Sequence, residues 1–561
     1  MLQTPAFFLE TGMKQAIAGA GMVILSSAAL AGAPVGMTPV AGDPVRIASG
    51  LVAGTHLDEG VDAYLGIPYA KPPLGDLRWR APQPVTWQGV WNADRKGAQC
   101  IQMLRRHDIN HYFGEEVSGE DCLNLNLWKP ASAKAGDKLP VIVFIYGGAG
   151  TIGSAGMAHY DGAAVARHGA LFVNMNYRVG LLGFMSHPEL SAEQGGHSGN
   201  YGYLDQNAAL RWVHDNIAAF GGDPEKVILV GQSFGASSVA AQVMSPLSKG
   251  LFRGAVLSSG CNLTREGVPL AQGEKTGLEV QKRLGLANLH ALRQAPADQI
   301  LSQQAESQNL TVTAGVAIPR VMDGYFWPGT VAQGLRNHQG SAVPLIANSN
   351  SDDNDALRYP LTQARNLAEY RELAARMYGK DAEAFLRLYP VRQDSDVPIV
   401  SRQAAMESGF LAGSRDCAVL NKLYNQQPTY VSLFTRRHPY RAGVVIADQD
   451  TASVGAYHNA DIPYFFGTLD AFNLIRPTRD WTADDKALSE AMLGSLIAFA
   501  RTGVPPIAGK AWPVWNEKAP DYAIWGGKAP KARMDLARMD WIAAHPPAAV
   551  DVKSGGLRAK D

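Results

Sequence analysis

Only four cysteines occur in 561 residues, so this is not a fold stapled throughout by disulfides. Charge of either sign is not in surplus: 51 basic and 51 acidic residues give a formal net charge of +0 at pH 7. A basic surface of the kind nucleic acid or an anionic membrane selects is therefore not indicated. The chain has no Walker-type phosphate loop, no His-Glu-x-x-His and no Cys-x-x-Cys, so neither a nucleotide nor zinc is suggested. Beyond the first thirty-odd residues no apolar run approaches the length of a bilayer span. Internal repeats, heptads and low-complexity tracts are missing there too. What remains is an ordinary globular composition, 46% hydrophobic, enough to fill one large core.

The start of the chain reads differently. Lys14 precedes a mostly apolar, Ala-rich run from Ala16 to Leu30, followed by Ala31-Gly32-Ala33, a small-x-small cleavage pattern. This is the layout of a secretory signal peptide over residues 1–33, with Met13 as the true initiator because Glu10 lies upstream of the basic start. The expectation is an exported protein, secreted or periplasmic, without a stable membrane anchor. Residues 34–545 then form a single domain and 546–561 a disordered tail. In an oxidising compartment the cysteines become readable. Cys100 and Cys122 close a loop of about twenty residues, where a disulfide contributes on the order of 3 kcal/mol. Cys261 and Cys417 are either free and buried or paired.

The most informative stretch is Gly231-Gln232-Ser233-Phe234-Gly235. It follows the apolar run Val227-Ile228-Leu229-Val230 and precedes a small-residue stretch from Ala236 to Met244. A strand turning sharply into a helix lifts the central serine above a sheet, where a histidine and a carboxylate from distant segments can meet it. Tight turning excludes a Cβ at either flanking glycine, and the helix behind aims its first N–H groups at charge developing beside the serine. Continuous apolar runs at Pro140 to Tyr146, Leu171 to Tyr177 and Gly254 to Ser259 read as strands covered on both faces. Val45 to Gly54 and Val61 to Gly66 read as short opening strands. Leu210, Val213 and Ile217 within Asp205 to Phe220 predict a crossover helix, and Leu488 to Ala500 another.

Several stretches together resemble the type-B carboxylesterases, the cholinesterase-like branch of the α/β-hydrolases. They are Gly66-Ile67-Pro68-Tyr69-Ala70, Glu120-Asp121-Cys122-Leu123-Asn124-Leu125-Asn126, Asn176-Tyr177-Arg178, residues 199–206 (GNYGYLDQ) and Phe220-Gly221-Gly222-Asp223-Pro224. The similarity runs from about Val45 to about Trp515. It implies an α/β-hydrolase fold, with a mostly parallel mixed sheet between helices and large insertions, and a Ser-His-acid triad acting on small-molecule esters without a cofactor or metal. Three departures stand out. Gln232 and Phe234 replace the usual Glu and Ala beside the nucleophile, the triple glycine is Gly147-Gly148-Ala149 followed by Gly150, and the usual triad Glu falls on Asp353.

The resemblance implies Ser233 as nucleophile and His458 as base, the latter in Gly455-Ala456-Tyr457-His458-Asn459, where Asn459 replaces a usual glycine. Asp353 is the expected acid, with adjacent Asp352 as the alternative; a solvated turn or weak calcium loop over residues 352–355 is the competing reading. Oxyanion donors are expected from the backbone of Gly148, Ala149 and Phe234, with Ala149 expected to hold an ordinary φ. Gly150 removes a side chain near the acyl site while Phe234 adds one, so the pocket is reshaped. Arg105 and Arg106, with His107, lie in the loop between Cys100 and Cys122, which borders the active-site mouth in the family; the leading reading is a solvated charged loop, and the alternative is that they meet a carboxylate-bearing ester. An amidase, carbamate hydrolase or lactonase would use the same machinery. A binding homologue lacking the nucleophile is disfavoured by the presence of Ser233 and His458.

Overall fold

A computed structural model describes residues 38–550 apart from 58–59, 115–116, 262, 264–265, 306–314, 354–358 and 508. The leader and residues 551–561 lie outside the described residues. In the adjoining stretch, the Ala548 N–H donates to the Met377 carbonyl at 2.8 Å.

The frame is a twelve-stranded sheet. Its strands are β1 (Thr38–Pro39), β2 (Thr55–Leu57), β3 (Val61–Pro68), β4 (Asn124–Pro130), β5 (Leu139–Ile145) and β6 (Leu171–Met175). They continue with β7 (Gly222–Gln232), β8 (Gly254–Ser258), β9 (Leu345–Asn350), β10 (Thr429–Phe434), β11 (Asp521–Trp525) and β12 (Lys531–Arg533). Spatial order is β1-β2-β3-β4-β6-β5-β7-β8-β9-β10-β11-β12, with β6 through β11 parallel and both flanks antiparallel. The chain passes from β5 to β6 on one side and then crosses to β7 on the other. That reversal opens a crevice at the carboxyl ends of β5 and β7, where open α/β sheets bind their ligands.

The apolar runs behave as expected. β5 is buried from Pro140 to Ile145 and β7 from Val227 to Gln232, because helices cover both faces. Helix α1 (Tyr201–Asn216) ends in a 3₁₀ turn at Ile217–Phe220, and α2 (Phe234–Met244) follows β7 directly. The segment predicted as one strand over Val45 to Gly54 is a hairpin, Val45–Ile47 against Gly50–Ala53. Between β9 and β10 the chain adds α3 (Leu367–Tyr378), α4 (Val397–Ser408) and α5 (Phe410–Leu420); Tyr370 of α3 joins Phe385 and Tyr389, from the chain between α3 and α4, in an apolar cluster apart from the main core. Helix α6 (Ala483–Thr502) starts at a capping box, Thr482 with Asp485, and stops at Gly503 in the left-handed region.

Two ion pairs, one buried and one partly buried, secure the loops near the crevice. Arg178, just after β6, donates from Nε and Nη2 to Asp205 at 2.8 and 2.7 Å, fixing that loop to the second turn of α1. Arg78 grips Glu120 through two bonds of 2.8 and 2.6 Å, beside the disulfide joining Cys100 and Cys122. Cys261 and Cys417, left open from sequence, are also paired, tying the chain after β8 to α5.

Candidate active site

Ser233 stands between the last residue of β7 and the first of α2, at φ 58° and ψ −125°. Few non-glycine residues adopt such a backbone, which costs of order 1–3 kcal/mol and is paid for by the surrounding structure. The Ser233 N–H donates to the Ser258 carbonyl on β8 at 2.9 Å, and its own carbonyl accepts from Ser237 N–H at 3.0 Å. Both flanking glycines are required by packing. A Cβ on Gly231 would lie 2.3 Å from the Gly235 carbonyl oxygen, and one on Gly235 would lie 2.0 Å from the Ile145 carbonyl oxygen.

The two adjacent aspartates after β9 have different work. Asp353 Oδ1 contacts His458 Nδ1 at short range, while Oδ2 accepts from Ser259 Oγ at 2.6 Å and Asn350 N–H at 3.1 Å. Asp352 instead accepts from Gly455 N–H at 2.6 Å and meets Arg402 at 3.3 Å, and its own N–H donates to the Ala456 carbonyl at 2.9 Å. It thus braces the loop that carries the imidazole. Asn354 and Asp355, the rest of the competing calcium loop, lie outside the described residues. No cluster of His, Cys, Asp and Glu among the described residues could hold a metal.

His458 packs against Phe410 with ring centroids 5.6 Å apart. Its Nε2 is buried without a hydrogen-bond partner, and both it and Ser233 line one cavity of about 500 Å³. No hydrogen bond joins the two, a looseness common in unliganded sites. Asn459 explains its departure from the family pattern: it sits at φ 76°, a region asparagine enters more readily than most residues.

Residues 147–150 form the opposite wall. A Cβ on Gly147 would fall 2.8 Å from Ser233 Cβ, so this loop faces the serine directly. Ala149 departs from the expected ordinary φ: it lies at 56°, between Gly148 at 104° and Gly150 at 76°. An L-residue there costs about 1–2 kcal/mol, so the loop holds alanine in a glycine conformation. Phe234 packs edge-on against Phe184 and parallel to Tyr203, centroids 5.6 and 6.1 Å away. Gln232 is buried with an unpartnered Nε2, and nothing in the structure explains its replacement of the family's carboxylate.

Arg105 lines the cavity; Arg106 does not. Arg106 is exposed and bonds Asp108 at 2.9 and 2.5 Å, and His107 is exposed as well, so of the three only Arg105 lines the cavity. Arg320, Phe410 and Asp448 also line the cavity and were not foreseen. His111, another lining residue, is pushed down to about 3 by burial, with the Arg479, Arg105 and His458 charges adding to the effect. It is a neutral wall of the site at neutral pH. The arrangement can present a hydroxyl, an imidazole oriented by a carboxylate, and a turn of backbone N–H groups to one bound molecule.

Comparison with known proteins agrees. The carboxylesterase family model matches residues 42–533. A fumonisin B1 esterase from Sphingopyxis macrogoltabida is 34% identical over 480 residues, 84% of each chain. A para-nitrobenzyl esterase from Bacillus subtilis is 30% identical over 488 residues, 85% of this chain and 93% of the other. A solved PNB esterase structure superposes with a TM-score of 0.71 at 28% identity, covering 89% of this chain and 98% of that one. With the α/β-hydrolase sheet in place and these matches spanning nearly its whole length, the chain belongs to the carboxylesterase family, hydrolases acting on carboxylic ester bonds.

Proposed function

We propose that the chain cleaves small-molecule carboxylic esters through an acyl-enzyme, with Ser233 as nucleophile, His458 as general base and acid, and Asp353 as the orienting carboxylate. The observation that carries this reading is the Asp353–His458 contact, which leaves His458 Nε2 unpartnered in the cavity lined by Ser233. His458 Nε2 takes the hydroxyl proton as Ser233 Oγ attacks the ester carbonyl, and Asp353 stabilises the imidazolium formed. Backbone N–H groups of Gly148, Ala149 and Phe234 receive the oxyanion, each donor typically worth about 3 kcal/mol. Collapse expels the alcohol, which takes its proton from His458. Water then repeats the sequence on the acyl group, regenerating Ser233.

The protein acts outside the cytoplasm on this reading. The leader-like start supports export, as do the two disulfides, Cys100–Cys122 and Cys261–Cys417. Among the described residues no helix is long and apolar enough to cross a membrane.

Covalent labelling by a fluorophosphonate tests the nucleophile. Label on Ser233, lost in Ser233→Ala together with hydrolysis of p-nitrophenyl esters, is the expected result. Unchanged turnover in that variant would overturn the reading. Matched p-nitrophenyl esters and anilides separate esterase from amidase action.

A further inference from the structure

Residues 258–261, at the carboxyl end of β8, link Ser233, Asp353 and helix α5. The Ser258 carbonyl accepts the Ser233 N–H at 2.9 Å, and Ser259 Oγ donates to Asp353 Oδ2 at 2.6 Å. Gly260 lies so close behind Ser233 that a Cβ there would fall 2.4 Å from the Ser233 carbonyl oxygen. Cys261 then joins Cys417 of α5.

Helix α5 carries that link to His458. Phe410, Ser414 and Cys417 stand at i, i+4 and i+7, one stripe along its face. Ser414 and Cys417 are buried, and Ser414 Oγ shares a hydrogen bond of 3.2 Å with Ser349 Oγ on β9. Gly413 presses on the same neighbour: a Cβ there would lie 3.0 Å from the Cys261 carbonyl oxygen. At the head of the helix the Phe410 ring stacks on the His458 imidazole, with centroids 5.6 Å apart and planes 26° from parallel.

The Asp353 contact fixes one edge of the imidazole, at Nδ1. The tilt of the ring plane, which decides where Nε2 points, needs a surface against the ring's face, and Phe410 is that surface. A ring face within about 6 Å of a cation also attracts it, favouring the imidazolium formed in each proton transfer. We propose that Phe410 is a positioning residue for His458, and that the Cys261–Cys417 disulfide sets its place by tying α5 to the segment behind Ser233. The proposal rests on His458 being the base, and it gives this disulfide a part in turnover besides its contribution to stability.

Fluorophosphonate labelling of Ser233 separates those two contributions. Its amplitude counts folded sites, whereas its rate constant reports how well the base serves the serine in each of them. Phe410→Leu is expected to slow labelling by about tenfold and to lower kcat for p-nitrophenyl acetate equally, with KM little changed. Phe410→Tyr, which keeps the ring, retains most of the wild-type rate. Cys261→Ala with Cys417→Ala is expected to slow labelling similarly, beyond any loss of amplitude, and Phe410→Leu added to it costs little more. A labelling rate unmoved by Phe410→Leu, a rise in KM with kcat unchanged, or Phe410→Tyr as slow as Phe410→Leu would each overturn the positioning role. A disulfide variant altered in amplitude alone, or losses that multiply in full, would overturn the tie. His458→Ala labelling at the wild-type rate would instead refute the base, a result independent of Phe410.

Discussion

Phe234 occupies the space that a side chain at position 150 would need: a Cβ on Gly150 would lie 2.7 Å from Phe234 Cζ. Two departures from the family's pattern are thus one exchange, with bulk removed from the loop after β5 and added at the start of α2.

Gly150→Ala should therefore lower kcat/KM by about tenfold or more, both by collision with the ring and by strain at φ 76°. Phe234→Ala keeps the backbone N–H of position 234 and should widen acyl-chain acceptance. In the double variant part of the Gly150→Ala loss should return, a coupling that kinetics across an acyl-length series would measure. Strict additivity would show that the two residues do not share this space.

Asp353→Asn should cost roughly three to four orders of magnitude in kcat, because the amide no longer stabilises the imidazolium or selects its tautomer. Asp352→Ala should act differently. Losing the bonds to Gly455 and Arg402 loosens the histidine loop, lowering the melting temperature with a much smaller fall in kcat. Steady-state kinetics beside thermal melts distinguishes the two; equal losses of kcat would contradict the division of labour.

Three histidines, His159 and His438 buried and His111 on the cavity wall, predict acid sensitivity. Burial pushes His111, His159 and His438 below their ordinary value of 6.5, with neighbouring cations adding to the effect. Below that pH the unfolded chain takes up protons that the folded one refuses. Stability is therefore complete above about 6.5 and falls with pH towards the folded values, about 3 for His111. Each such proton contributes about 1.4 kcal/mol per pH unit. His159 stacks on Phe113 at 4.2 Å with neither ring nitrogen hydrogen-bonded. His159→Phe should accordingly make urea midpoints at pH 7.5 and 5.5 more alike.

Removing the disulfide between Cys261 and Cys417, 156 residues apart, should destabilise the fold by about 2–5 kcal/mol. Cys417→Ser with Cys261→Ser, followed by denaturant unfolding, measures it.

Strands buried as unbroken apolar runs, such as β5 and the second half of β7, were legible because composition alone marks a doubly covered strand. β4 was not, since Asn124 and Asn126 alternate with Leu125 and Leu127. Those asparagines are buried yet satisfied, Asn126 bonding Asn174 of β6 at 2.9 Å. β9 hides its nature in the same way, through Asn348, Ser349 and Asn350. At the site, the turn around Ser233 was visible because its constraints are local. The approach of Arg320, the exclusion of Arg106 and the φ of Ala149 depend on tertiary contacts that no local pattern encodes.

Asp352 and Asp353 are consecutive, yet one anchors the loop bearing the imidazole and the other aligns the ring. The carboxylate and the histidine, 105 positions apart, are thus gauged against each other within a single short stretch. The helices inserted between them can be lengthened, trimmed or resurfaced while that spacing stays the same.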